Sequence, residues 1–168
     1  ILTMASLAET RDSDTGNHLR RTQHYVRALA RRLQSHPDFV SFLTDSKVDS
    51  LFHSAPLHDI GKIGIPDRIL LKPDRLNPEE FEVMKAHAEA GFRVVTRHRD
   101  IPAPAAVIAM QHHEKCNANG YPRGLARERI HDYARIAAVA DVFDALSSDR
   151  VYKKRMLPHL ALRIISGA

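Results

Sequence analysis

The stretch Leu57-His58-Asp59-Ile60-Gly61-Lys62 sets an imidazole beside a carboxylate, with a lysine three residues after the aspartate. Neighbouring residues of a helix point about 100° apart. Such a pair therefore does not crowd one metal ion, and a carboxylate with two oxygens can bridge two. Gly61 permits a turn that a side chain resists, which lets Lys62 swing back over the site. Asp14, His18, His87, His112, His113 and Asp141 also fall at inward or helix-end positions. Asp14 and His18 are four apart, one turn of helix, and His112-His113 repeats the adjacent pair. Together with His58 and Asp59 these groups are too many for one ion and enough for two or three. Mixed imidazole and carboxylate suits iron, manganese, nickel or zinc, rather than calcium or magnesium alone. Taken singly, His87 reads equally as a core histidine bonded to a carbonyl, and Asp141 as the partner of an arginine such as Arg135. Taken together they would be several polar groups on apolar faces, each needing its own partner. A shared metal centre satisfies them at once. His24, His36, His53, His98, His131 and His159 show no such grouping and read as surface or ordinary structural residues.

The elements that must position these groups are helical, because the apolar periodicity is helical throughout. Thr15 or its neighbours open a helix carrying Leu19, Thr22, Val26, Leu29, Ala30 and Leu33 on one face, with His18 near its start and Pro37 beyond its end. Asp45 or Ser46 caps a second, with Val48, Leu51, Phe52 and Ala55 inward, running into Pro56 and His58. Residues 61–76 read as irregular, with Gly64, Pro66 and Pro73. Asn77-Pro78-Glu79-Glu80 combines a cap, a proline at the first position and acids, a strong helix start. That helix carries Phe81, Met84, Ala88, Phe92 and Val95 inward, with His87 among them. Pro102 and Pro104 open another, leading to His112-His113 and a turn-rich loop from Cys116 to Pro122. Tyr133 to Ser147 reads as a buried helix bearing Asp141 and Asp144, and Pro158 starts the last one. No stretch alternates cleanly enough for a strand, so the expected class is all-α.

Composition narrows the partners. The chain of 168 residues is long enough for a sizeable core. No run approaches the ~18 apolar residues of a membrane span. The one cysteine, Cys116, excludes an intrachain disulfide framework and a thiolate knot for structural zinc, and fits a reducing cytoplasm. A net charge of +5 favours anionic partners. The basic residues are scattered and aromatics make up 6%, too few for a base-stacking nucleic-acid platform. The chain begins at Ile1 and stops at Gly167-Ala168 just after an apolar helical stretch, which we read as one domain, residues 1–168, cut from a longer protein and truncated at its C-terminal end.

The order His18, His58-Asp59-Ile60-Gly61-Lys62, His87, His112-His113-Glu114-Lys115, Gly120-Tyr121-Pro122, Asp141-Val142-Phe143-Asp144-Ala145-Leu146 resembles the HD-GYP family, cyclic di-GMP phosphodiesterases within the HD metal-dependent phosphohydrolases. The resemblance spans the chain from about Asp12 to its end. It implies an HD-type helical bundle with little or no sheet, and hydrolysis of cyclic di-GMP to pGpG, GMP or both. It implies metal ligation by His18, His58, Asp59, His87, His112, His113 and Asp141, and phosphate contacts from Arg150 and Lys153. It further implies an N-terminal regulatory domain, of receiver or other sensory type, and diguanylate cyclases of the GGDEF type as protein partners.

Three departures stand out. Asp14 occupies a position often held by glutamate, and its shorter side chain favours two metal ions over three, with Asp14 a weak ligand or acting through water. Iron or manganese are the first candidates, with nickel or zinc behind them. The loop reads Cys116-Asn117-Ala118-Asn119-Gly120-Tyr121-Pro122 where the family commonly has Trp-Asp-Gly-Ser-Gly-Tyr-Pro, and Val151 stands where proline is usual. In the implied mechanism Asp59 bridges the metals, Lys62 meets charge developing on the phosphate, and water attacks phosphorus in line to expel the ribose 3′ oxygen. Asp144 orients Lys62 or the nucleophile, or else makes a helix-to-loop hydrogen bond. Arg150 and Lys153 bind the second phosphate or form an exposed basic turn. Tyr121 shapes a guanine pocket or packs the loop. The altered loop leaves a second reading open, a low-activity cyclic di-GMP-binding module that signals through protein partners.

Overall fold

The structure, a computed structural model, describes residues 2–9, 17–149 and 154–167. Among the described residues there are eight α-helices: α1 Leu2–Glu9, α2 His18–Leu33, α3 Asp45–Ser54, α4 Asp67–Leu70, α5 Pro78–Thr96, α6 Pro104–Gln111, α7 Asp132–Ser147 and α8 Pro158–Ser166. Short 3₁₀ turns cover Ala55–Leu57, Ile60–Gly64 and Arg127–Arg129. The only extended pairing among the described residues is one isolated bridge, Asn117 with Ala126. The all-α expectation is met, and no described helix is long and apolar enough to cross a membrane.

Local chemistry explains most boundaries. At α5 the Asn77 side chain accepts from the Glu80 amide at 2.8 Å and Glu80 accepts from the Asn77 amide at 2.9 Å, a reciprocal cap. The cap of α3 is Thr44, one residue before Asp45 and two before Ser46, the expected caps, because its hydroxyl accepts from the Lys47 amide. Pro56 shifts α3 into a 3₁₀ turn rather than simply ending it. Residues 61–76 are more ordered than expected, since the 3₁₀ turn Ile60–Gly64 and α4 fall largely within them. α1 has no counterpart in the expected elements; its Ala5 and Ala8 pack beside Leu57 and Ile60. Phe81, expected inward, is exposed and meets the ring of Tyr121 edge-on at 5.9 Å. Thr15 lies outside the described residues, and α2 begins at His18 after Asn17.

Two apolar cores flank the histidines. One joins Val26 and Ala30 of α2, Val48 and Leu51 of α3, Ile108 of α6 and Tyr133, Ile136, Ala137 and Ala140 of α7. The other joins Leu19 of α2, Leu57, Ile60, Val95 of α5 and Ala105 of α6. Alanines at 134, 137 and 140 leave room for neighbouring helices to approach α7 closely. The fold thereby fixes α2, α5, α6 and α7 around one point, with the 55–64 turns between them.

Candidate metal centre

Seven of the expected ligands come together in two groups. Asp59, His87, His112 and His113 form one, and His18, His58 and Asp141 the other; within each group the candidate ligand atoms lie within 4.8 Å of one another. Asp59 joins them. Its Oδ1 is 3.3 Å from Nε2 of His87 and 3.5 Å from Nε2 of His112, while its Oδ2 is 3.4 Å from Nε2 of His58. Asp141 Oδ1 is 3.6 Å from Nε2 of His18 and 3.9 Å from Nε2 of His58. His58 and Asp59 thus serve different groups, as adjacent residues pointing apart should. His112 and His113 do not: their ring centroids are 3.9 Å apart and both belong to one group. The physical reason is that α6 ends at Gln111, so His113 lies in a turn where the helical 100° spacing no longer applies.

The histidines are aimed by hydrogen bonds from their far nitrogens. Nδ1 of His58 donates to the Ala55 carbonyl at 2.9 Å, His87 to Met84 at 2.7 Å and His112 to Ile108 at 3.0 Å. A carbonyl can only accept, so Nδ1 carries a proton, and each ring when neutral keeps its lone pair at Nε2. The His18 Nδ1 bonds to Oδ2 of Asp144 at 2.8 Å instead. His58 Nε2, Asp59 Oδ1, His87 Nε2 and His112 Nε2 are buried without a hydrogen-bond partner. Each such atom costs about 1–3 kcal/mol, and all four face the inside of the two groups. Imidazole and carboxylate donors converging in this way fit divalent transition metal ions. His24, His36, His53, His98, His131 and His159 are all exposed, as expected.

Protonation follows the same geometry. Burial favours the neutral form of His87 and outweighs the pull of Asp59, lowering its pKa to about 4. Burial and the neighbouring His112 push His113 down as well. At His58 burial is outweighed by Asp59 and Asp141, which raise it to about 9. Burial would raise Asp59, but Lys62 and His58 hold its carboxyl well below the usual range. Lys62 Nζ stands 2.9 Å from Oδ2 of Asp59, beside the junction of the two groups.

Several expectations need correction. Gly61 is required by close approach: a Cβ there would collide with the His87 carbonyl oxygen and the Gly91 amide nitrogen of α5. The swing of Lys62 comes from the 3₁₀ turn, where its amide donates to the Asp59 carbonyl at 2.9 Å. Of the two readings of Asp144, the hydrogen bond from helix to loop is present, from the Ser148 hydroxyl at 3.2 Å; the carboxylate also accepts from Arg21 and bonds to His18. The suggested Arg135 partner for Asp141 is wrong too, because Arg135 pairs with Asp132 at 3.0 Å. Tyr121 stacks on His113, centroids 4.6 Å apart and planes 29° from parallel. It packs against a candidate ligand. Asp14, Arg150 and Lys153 lie outside the described residues.

Sequence reasoning missed Glu114. Its carboxylate, 6% exposed, accepts from the amides of Arg123 and Leu125, both at 2.8 Å, and so fastens the loop that carries Gly120-Tyr121-Pro122. An acid directly after two histidines and before a turn-rich loop was the available signal. Gly120 packs against the 113–115 backbone too closely for a Cβ. The substituted Cys116–Ala118 stretch is therefore held at both ends.

A family model described as HD domain matches residues 3–167. A Vibrio cholerae protein named "Probable cyclic di-GMP phosphodiesterase" is 48% identical over 98% of this chain and 39% of its own length. A second V. cholerae protein, named cyclic di-GMP phosphodiesterase, is 47% identical over 91% of the chain and 32% of its own length. A Thermotoga maritima protein of that name is 46% identical over 88% of the chain and 38% of its own length. The chain thus spans between about a third and two fifths of these curated relatives. The chain belongs to the HD domain family, as its resemblance to the HD-GYP branch led us to expect.

Proposed function

We propose that this domain is a metal-dependent phosphodiesterase that hydrolyses cyclic di-GMP to pGpG, GMP or both. The observation that carries this reading is Asp59, whose two oxygens face two separate ligand groups. Divalent ions held by these residues would supply Lewis acidity toward a phosphodiester and lower the pKa of a water. The chain's own part is to hold His18, His58 and Asp141 on one side of Asp59, and His87, His112 and His113 on the other. Lys62 sits beside the bridge, where its ammonium can meet negative charge that develops on the phosphate. Tyr121 walls the His113 side. Arg150 and Lys153 are the residues we assign to the second phosphate.

We assign two ions to the seven ligands, with Asp14 as a weak ligand or one acting through water. Iron or manganese are our first candidates, then nickel or zinc. The substrate assignment draws on relatives whose names specify cyclic di-GMP. The setting we infer is a reducing cytoplasm. The anchored Gly120-Tyr121-Pro122 loop favours turnover over the binding-module reading with a GGDEF-type partner. The test is product analysis. Protein purified without oxygen and loaded with iron or manganese should convert cyclic di-GMP to linear products seen by chromatography. Asp59→Ala should lose most metal and all hydrolysis, because each ion loses a ligand. Full turnover by that variant would refute the bridging role, and no turnover by the loaded wild type would refute the function.

A further inference from the structure

One ligand, His18, is aimed differently from His58, His87 and His112. His58, His87 and His112 each donate to a carbonyl three or four residues back in the chain. His18 instead points Nδ1 at two side chains: Asp144, 126 residues away, at 2.8 Å, and more weakly the Thr22 hydroxyl on its own helix at 3.3 Å. Asp144 is 1% exposed, and an ionised carboxylate at that depth needs compensation. Arg21 provides it. Its Nε donates to Oδ1 at 2.6 Å and its Nη2 to Oδ2 at 3.0 Å, a two-bond fork. Arg21 lies three residues after His18 on α2, so guanidinium, carboxylate and imidazole close a ring between α2 and α7.

We propose that Arg21 is a positioning residue for the His18–His58–Asp141 metal site: by clamping Asp144 it fixes where Nε2 of His18 points, and so governs occupancy of that site separately from the Asp59–His87–His112–His113 site. The proposal rests on reading both groups as metal sites and is independent of the substrate. A carboxylate that loses its fork can rotate, which takes away the nearer, charged acceptor of His18 and leaves only the Thr22 hydroxyl at 3.3 Å. In the other group His87 and His112 do not rely on Asp144, because main-chain carbonyls aim them. Lysine at position 21 would restore the charge but cannot offer two parallel donors from one plane.

The experiment titrates chelator-stripped protein with manganese, without substrate, and follows uptake by elemental analysis and electron paramagnetic resonance. Wild type should take up two ions per chain and show a spin-coupled spectrum. Arg21→Ala should keep one ion at wild-type affinity and bind the second about 10–100-fold more weakly, the usual cost of losing an outer partner of a ligand histidine. Its spectrum at the same loading should be that of isolated ions. Arg21→Lys should recover part of the lost affinity, and it serves as the main variant if Arg21→Ala fails to fold. Wild-type affinity for both ions, or equal weakening of both, overturns the proposal, since general destabilisation would not single out one site. A wild type that takes up no manganese overturns the metal reading beneath it, and that result is visible before any variant is made.

Discussion

Lys62 and Asp59 form the contact on which the chemistry turns, since the ammonium lies 2.9 Å from the oxygen that faces His58. We expect Lys62→Ala to retain metal while turnover falls by a factor of roughly ten to a thousand, the range for losing one charge-stabilising donor. Metal analysis beside single-turnover kinetics checks this; unchanged turnover would leave Lys62 as a helix-end charge. A second prediction concerns protons. With a pKa of about 9, His58 is protonated at pH 7 in metal-free protein, whereas His87 is already neutral. Ligation needs the neutral ring, so metal uptake at pH 7 should release protons, and His58 is their named source. Calorimetry in buffers of different ionisation enthalpy measures that release. Uptake at pH 7 with no proton released would contradict it.

At the scale of elements, the 115–125 loop is held by one carboxylate. Glu114→Gln keeps the size but offers one acceptor oxygen, so an amide of Arg123 or Leu125 loses its partner. Losing a hydrogen bond to a charged group costs about 1.5–3 kcal/mol. Faster hydrogen exchange at the Arg123 or the Leu125 amide should report it, with Tyr121 freed from its stack on His113; exchange as slow as in wild type at both would show that the loop does not depend on Glu114. Most helices were legible in the sequence, because caps such as Asn77-Pro78-Glu79-Glu80 and faces such as Leu19-Val26-Ala30 are local signals. The seven ligands were legible as a set from residue type and inward position. Their division into two groups was not, nor was the partner of Asp144. Those depend on how α2 meets α7, and no local pattern encodes a contact 123 residues apart. α1 was missed because its apolar contacts, Ala5 and Ala8, are small residues that leave a weak periodic signal.

Across the whole molecule, the ligands come from α2, the 55–64 turns, α5, the end of α6 and α7, so bound ions tie together elements far apart in sequence. Ions that bind the folded chain and not the unfolded one stabilise it by about 2.7 kcal/mol per site at a hundred times Kd. For a domain of this size each kcal/mol moves Tm by about 2–4 °C. We therefore expect a chelator to lower Tm by roughly 5–10 °C per site emptied. A thermal melt with and without chelator measures this, and a Tm indifferent to metal would mean that the ions contribute nothing to holding the helices together.

The acceptors that aim the histidines have a consequence for inheritance. Ala55, Met84 and Ile108 contribute only a carbonyl, an atom that every amino acid carries. Codons 55, 84 and 108 can change without deleting that acceptor, so selection on them concerns packing alone. His18 is different, since its nearer and charged acceptor is the side chain of Asp144, and a single missense change can erase it and leave only the Thr22 hydroxyl. A lineage that drifts toward inactivity through its outer residues should therefore fail first at Asp144 or Arg21, while still displaying every histidine in its sequence.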